Sequence, residues 1–164
     1  MVTEKPRWAD PTILEWVQFL LNSYRHWTGQ ELIERQGSLA QEGERLFSAP
    51  FAVVSHGIEE DPVLNYGNLI ALRLWEMEWP EFTRTPSRLT TEPMNWMERE
   101  SMLHRAATEG FIPDYKGVRI TRSGQRFLVE RATVWNVMDH HQNRLGQAAS
   151  FSTWRVLHPP EGKG

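Results

Sequence analysis

The segment Arg126 to Met138 constrains the fold more than any other part of the chain. Read as an extended strand, it carries apolar groups on both faces: Phe127 and Val129 with Trp135 on one, Leu128 and Ala132 with Val134 on the other. Such a strand belongs inside a sheet covered on both sides, because either face left in water would expose a large apolar area. The fold therefore needs helices above and below one sheet.

The rest of that sheet is supplied by the neighbouring sequence. Tyr115 to Arg122 alternates, with Val118 and Ile120 on one face and Arg119 and Thr121 on the other, and Ser123-Gly124 makes the hairpin turn into the central strand. After a loop at Asp139 to Arg144, Gly146 to Leu157 reads as the last strand. Earlier in the chain, Phe51 to Val54 is a short apolar run closed by Gly57. Val63 to Tyr66 follows the Asp61-Pro62 turn and ends at Gly67, so the two runs pair as a hairpin.

Helical signals fill the gaps between strands. Asp10-Pro11 reads as N-cap and first helical position, and Ile13, Trp16, Val17, Leu20, Leu21, Tyr24 and Trp27 recur at helical spacing until Gly29. This wide stripe is the cover for the second face of the sheet, from its own chain or from a partner's. Gln30 to Arg45 is polar and weakly periodic, forming one or two short helices that link the front helix to the core. Asn68 caps a helix carrying Leu69, Leu72 and Trp75, limited by Pro80. Glu81 to Pro93 reads as loop with a helical turn. A further helix starts at Asn95 with Glu98 and stops at Gly110, with Met97, Ser101, His104 and Ala107 along one side. The expected division is a helical extension over residues 1–49, a core over 50–158 and a disordered tail over 159–164.

Composition removes whole classes of function. Lys and Arg number 18 against 21 Asp and Glu, and basic residues form no long run, so direct nucleic-acid binding is not expected. No stretch of about 18 apolar residues spans a membrane, and Met1 to Asp10 lacks the apolar centre of a signal peptide, so the protein is expected in the cytoplasm. With Cys at 0, disulfides, thiolate nucleophiles and flavin–cysteine photochemistry are all removed. Trp at 8 and Phe at 7 supply much apolar area, and each indole N–H wants an acceptor when buried.

The order strand, strand, short helices, longer helix, three-stranded meander is similar to the plan of PAS domains. More specifically, the chain resembles the MEKHLA family in Phe51 to Gly57 (FAVVSHG), Asn65 to Trp79 (NYGNLIALRLWEMEW) and Pro86-Ser87-Arg88-Leu89-Thr90. The likeness continues through Gly110 to Ile120, Arg126-Phe127, Val134-Trp135-Asn136 and Gly146-Gln147-Ala148-Ala149. It covers roughly two thirds of the chain. The homeodomain and leucine zipper of the plant relatives are absent from this sequence, so no DNA-binding role carries over. What the resemblance implies is an α+β fold, with a PAS-like five-stranded antiparallel sheet, short helices on one face and an N-terminal helical extension. It also implies a role in sensing, ligand binding or protein association, with no catalytic residue to transfer.

Candidate residues follow from that frame. Trp75, Trp135, Asn136 and Gln147 combine apolar bulk with side-chain amides on elements that enclose a PAS-like cavity, a mixture that either orients a small ligand or satisfies buried polar groups. Asn68 joins this group at the head of its helix. Arg88, stiffened by Pro86, presents a guanidinium to a ligand carboxylate or, more simply, to Glu76 or Glu92. His104 lies near the region where haem-binding PAS domains place their ligand, but about one turn from it, and ordinary packing is the simpler reading. Asp139, His140 and His141 point apart on an extended segment, so no metal site is assigned. Ser55, His56 and the acidic residues Glu59, Glu60 and Asp61 lack a strained nucleophile turn, so no catalytic residue is assigned either, and His56 is expected to bond backbone at the end of its strand. Trp16, Leu20, Tyr24 and Trp27 form a surface suited to a dimer or partner contact.

The expected function is thus a non-catalytic sensory, ligand-binding or protein-interaction module, dimerising through its N-terminal helix or binding a protein partner. A small molecule of unspecified identity is the expected ligand. No cofactor is required by the residues, with haem or flavin as the lesser alternatives. The rivals are a small enzyme that uses the cavity as its active site and a purely structural dimerisation domain with a filled core.

Overall fold

The computed structural model describes residues 6–158; the expected tail at 159–164 lies outside the described residues. The first long helix, α1 (Pro11–Thr28), begins as its sequence dictates, with the Asp10 side chain accepting from the Thr12 N–H and Pro11 in the first turn. It stops at Gly29, which takes the left-handed conformation. Helix α2 (Leu39–Phe47) starts with a reciprocal capping box between Ser38 and Gln41. It is tied to α1 by buried Glu42, which accepts from Gln18 and Arg35. Thus only the second half of the polar 30–45 stretch is helical.

Strands β1 (Ala52–His56) and β2 (Leu64–Gly67) pair antiparallel as the hairpin their turn residues imply. Helices α3 (Leu69–Trp75) and α4 (Trp79–Phe82) follow, then single 3-10 turns at Ser87–Thr90 and Pro93–Asn95 and helix α5 (Trp96–Glu109). Pro80, expected to limit a helix, sits in the first turn of α4 and starts one. The meander consists of β3 (Phe111–Ile120), β4 (Arg126–Met138) and β5 (Arg144–Phe151), with β6 (Thr153–Val156) continuing the line of β5 after a break at Ser152. The sheet order is β2-β1-β5-β4-β3, and β6 lies beside the first half of β4. All pairings are antiparallel.

The sheet is covered on both faces, as the apolar pattern of β4 requires. On one side α1 and α2 bury Val17, Leu20, Leu21 and Leu46 against Val53, Trp135, Val137 and Ala148. On the other, Ala71, Leu72, Trp75 and Phe82 pack on Ala52, Phe127, Val129, Ala132 and Phe151. The sequence assignment of faces fails halfway along β4, however. Arg131 has φ 54, the pairing with β3 slips there, and the alternation changes phase. Phe127 and Val129 therefore share a face with Ala132 and Val134, and Trp135 lies on the α1 side. Because the partner strand breaks at Ser152 in register with Arg131, β5 and β6 change phase together with β4.

Two further faces, whose direction the sequence leaves open, are fixed by packing. On α5, Met97, Ser101, His104 and Ala107 face solvent, whereas Arg99 and Ala106 are buried and Met102 and Leu103 half-buried. On β3, it is Gly117, Arg119 and Thr121 that turn inward, with Val118 and Ile120 only half-buried. In both cases the inward stripe contains an arginine, a residue that apolar periodicity assigns to water. Among the described residues no helix is long and apolar enough to cross a membrane.

Candidate functional site

Between the sheet and the α3 to α5 side lies a recessed cavity of about 80 Å³. Its walls are mostly apolar, from Val54, Trp75, Met102, Val129, Ala149 and Phe151 among others. The Trp75 ring meets Phe82, Phe127 and Phe151 edge-on, so the indole is held from three sides. Its Nε1–H nevertheless finds no acceptor among the described residues. Gln147 on β5 also lines the cavity; it donates from Nε2 to the Leu103 carbonyl and to Asn136 Oδ1, which fixes the amide's orientation. Its Oε1 has no donor among the described residues.

Two arginines, Arg99 and Arg119, line the same cavity. Arg99, on the inward face of α5, is 3 % exposed; its Nη2 donates to Ser87 Oγ and its Nη1 to the outward carboxylate of Glu100. Burial holds the Arg99 pKa below its ordinary value; Glu100 opposes this shift and the charge of Arg119 reinforces it. Arg119, on β3, is 9 % exposed and donates to the Val118 carbonyl and to the Tyr115 hydroxyl, which in turn donates to Glu98. Its guanidinium also stands over the Tyr115 ring at 5.5 Å. No carboxylate among the described residues forms an ion pair with Arg119, and no Asp or Glu lines the cavity. The remaining titratable wall residue is His56, whose Nδ1 donates to the Gly57 carbonyl. Desolvation lowers its pKa to about 4, aided by the charges of Arg99 and Arg144, so the ring is neutral near pH 7.

Of the residues singled out in the sequence, Trp75 and Gln147 line this cavity. Asn136 lies directly behind Gln147, its Oδ1 also accepting from Arg144 Nε and its amide reaching the Ala107 carbonyl. The other four do not belong to the wall. Trp135 lies beyond the phase change, facing α1, with Nε1 donating to the Leu20 carbonyl. Asn68 is buried under the helix it caps, accepting from the Val53 and Ala71 N–H groups and donating to the Leu46 and Phe51 carbonyls. Arg88 is at the surface and pairs with Asp61, not with Glu76 or Glu92. Those two carboxylates are used elsewhere: Glu76 accepts from the Ser123 N–H and Glu92 pairs with Arg126. His104 is exposed.

The four partner-helix residues are engaged within the chain. Leu20 is fully buried, Trp16 Nε1 donates to Ser55 Oγ, Tyr24 meets Trp135 edge-on and Trp27 Nε1 donates to the Asn136 carbonyl. At the Asp139 to Arg144 loop, the Asp139 carboxylate accepts from the His141 and Asn143 N–H groups and so forms the turn. Among the described residues no three His, Cys, Asp or Glu side chains gather as a metal site.

Sheet order, two-sided cover and a cavity under the α5 side together define a PAS-type fold. The chain belongs to the MEKHLA domain family, whose model matches residues 14–156. Solved structures agree on the fold. A PAS domain from Colwellia psychrerythraea superposes with TM-score 0.60 at 12% identity, covering 73% of this chain and 96% of its own. A light-oxygen-voltage domain studied with a flavin analogue gives TM-score 0.54 at 14% identity over 72% of this chain and 85% of its own. The light-state dimer of the fungal blue-light photoreceptor Vivid gives 0.56 at 12% identity over 92% of this chain and 98% of its own. No curated protein sequence matches the chain.

A flavin does not fit this cavity. The space of about 80 Å³ is far below the roughly 300 Å³ at which cofactor pockets begin. The chain also has no cysteine to form an adduct.

Proposed function

We propose that the chain is a non-catalytic sensory module in which a small ligand in the cavity biases the packing of α1 on the far face of the sheet. The observation that carries this reading is the recessed cavity, two of whose lining residues hold a buried polar atom with no partner among the described residues, Trp75 at Nε1 and Gln147 at Oε1. Buried polar groups without partners cost about 1–3 kcal/mol each, so whatever bonds them stabilises the occupied form. A short route leads from there to α1. Gln147 Nε2 donates to Asn136 Oδ1, and the Asn136 carbonyl accepts from Trp27 Nε1. A ligand with different affinity for two positions of this relay shifts the population of α1 conformations.

The wall residues support the non-catalytic reading. Ser55 Oγ donates to Asn65 and accepts from Trp16, Ser87 Oγ is bonded to Arg99, and the His56 Nδ1–H is bonded to backbone. None of these pairs is a nucleophile with its base. A protein partner or a second copy of the chain receives the signal. Self-association is favoured by the likeness to the Vivid structure, which is a light-state dimer and aligns over 92% of this chain. Since Leu20, Tyr24 and Trp27 are engaged with the sheet, dimerisation through α1 requires that helix to loosen from it.

The test is hydrogen exchange on the full chain, with and without small molecules that raise its melting temperature. Altered exchange in residues 11–28 on ligand addition, accompanied by a change of mass in light scattering, is the expected result. Ligands that stabilise the protein while leaving α1 exchange and mass unchanged would overturn the switch. Failure of any small molecule to stabilise it would remove the ligand-binding reading altogether.

A further inference from the structure

We infer that the cavity is a receptor for a small 2-hydroxy-monocarboxylate, its carboxylate held by Arg99 and Arg119 and its hydroxyl donating to Gln147; this rests on the ligand-binding reading above.

Charge is the first constraint on the ligand. Arg119 is 9 % exposed and has no ion-pair partner among the described residues; its hydrogen bonds go to a carbonyl and a phenol oxygen. Arg99 is more deeply buried, and its one carboxylate partner, Glu100, extends into solvent. The two guanidinium groups repel each other, and no acidic side chain lines the space between the walls. A buried charge without a countercharge is costly, and a bound anion removes that cost. Among anions, a carboxylate matches the planar fork of a guanidinium with two parallel hydrogen bonds.

Size and the remaining polar atoms narrow the choice. About 80 Å³ has room for roughly five to eight water-sized atoms, at about 10–15 Å³ for each. Arg99 and Arg119 line the space together with the apolar Met102, Val129, Ala149 and Phe151, which suits one charged end and a short carbon chain. Gln147 Oε1 needs a donor and is fixed in orientation by its two Nε2 bonds, so it cannot turn its amide toward a second acceptor. An ammonium group would supply a donor, but the wall carries two positive charges and no negative one, so an amino acid is disfavoured. A hydroxyl supplies the donor without added charge. Glycolate and lactate have this chemistry and this size.

The test uses the full chain titrated at constant ionic strength with lactate, glycolate, propionate, alanine and lactamide, followed by calorimetry and thermal melting. Lactate or glycolate should bind saturably and raise the melting temperature, propionate should bind more weakly, and alanine and lactamide should do neither. Arg119→Met should weaken hydroxy-acid binding by about tenfold to a hundredfold, and Arg119→Lys by less. Gln147→Leu should abolish the advantage of lactate over propionate. Circular dichroism confirms that each variant folds; should Arg119→Met fail to fold, Arg119→Lys and Gln147→Leu carry the comparison. No saturable binding of any carboxylate, or equal binding of lactamide and lactate, overturns the inference. If lactamide or another neutral compound binds and Ala149→Leu blocks it, the ligand-binding reading survives and only the carboxylate assignment falls.

Discussion

Phe127 and Trp135 lie on one strand, an even number of residues apart, and face opposite sides of the sheet, Phe127 against Trp75 and Trp135 against α1. In a regular strand they would share a face. The change of phase at Arg131 separates them, and each face thereby receives one large aromatic.

Holding Arg131 at φ 54 is a strain that a glycine relieves. Arg131→Gly should therefore leave stability unchanged or raise it slightly, while Arg131→Val, branched at Cβ, should cost about 1–3 kcal/mol. Urea unfolding followed by tryptophan fluorescence distinguishes them. Equal stability of the two variants would show that residue 131 does not need the left-handed conformation.

This kink also marks where the sequence stops being legible. Helix ends were readable because caps act locally: Asp10 with Pro11, Gly29, Asn68 and Gly110 all sit where their chemistry predicts. The strands and the need for cover on both faces followed from alternation. A change of phase leaves no such signal, since Arg131 resembles any polar strand residue, and Trp135 was misplaced for that reason. The anionic character expected of the ligand was hidden differently. Arg99 carries no signal in the sequence and Arg119 stands there only on the face shared with Thr121, yet both lie on the inward stripes of α5 and β3. One hint was present: Gly117, Arg119 and Thr121 form a run of alternate residues beside the less buried Val118 and Ile120, a face too mixed to be assigned by apolarity alone.

A corollary concerns α5. Met97 is 87 % exposed, and the side of the helix that it shares with Ser101, His104 and Ala107 faces solvent. Met97→Ser should change stability by less than about 0.5 kcal/mol. Ala106→Asp, on the face that is buried, should destabilise by several kcal/mol, of the order expected for an unpaired buried charge. Chemical denaturation of both variants checks the orientation, and a large loss for Met97→Ser would contradict it.

Asn68 was expected in the cavity wall and instead joins three elements, with bonds to the backbone of Leu46, Phe51, Val53 and Ala71. Asn68→Ala would leave these buried groups unsatisfied, so its cost should reach about 3 kcal/mol or more. Asn68→Asp keeps the two accepted bonds but loses both donated ones, and should be at least as harmful because it also buries a charge. If the denaturation midpoints of either variant match the parent, the network does not hold β1 to α3.

Acid should destabilise the protein through His56. Desolvation lowers its folded pKa from 6.5 to about 4, so the unfolded chain binds the proton first. The stability associated with the neutral ring is present above about pH 6.5 and is lost as pH falls through about 4; at 1.36 kcal/mol per unit the loss is about 3 kcal/mol. His56→Gln should flatten that part of the stability profile measured by urea unfolding between these pH values. An unchanged slope in the variant would assign the acid sensitivity to other groups.

The contact between α1 and the end of α5 offers a last measurement. Trp27 donates to the Asn136 carbonyl at 2.9 Å and stacks on Phe111, while its ring occupies the place where a Cβ on Gly110 would stand. Gly110 itself has φ 94, which a side chain resists. Trp27→Phe keeps most of the ring packing and loses the hydrogen bond, for a cost of about 1 kcal/mol and faster amide exchange confined to the last turns of α1. Gly110→Ala adds backbone strain to a displaced indole, so its cost should be larger, with a red-shifted tryptophan emission as the ring becomes wetter. Were Gly110→Ala to leave both emission and exchange unaltered, Trp27 would not be seated against α5, and the relay from Gln147 through Asn136 to α1 would lose its final link.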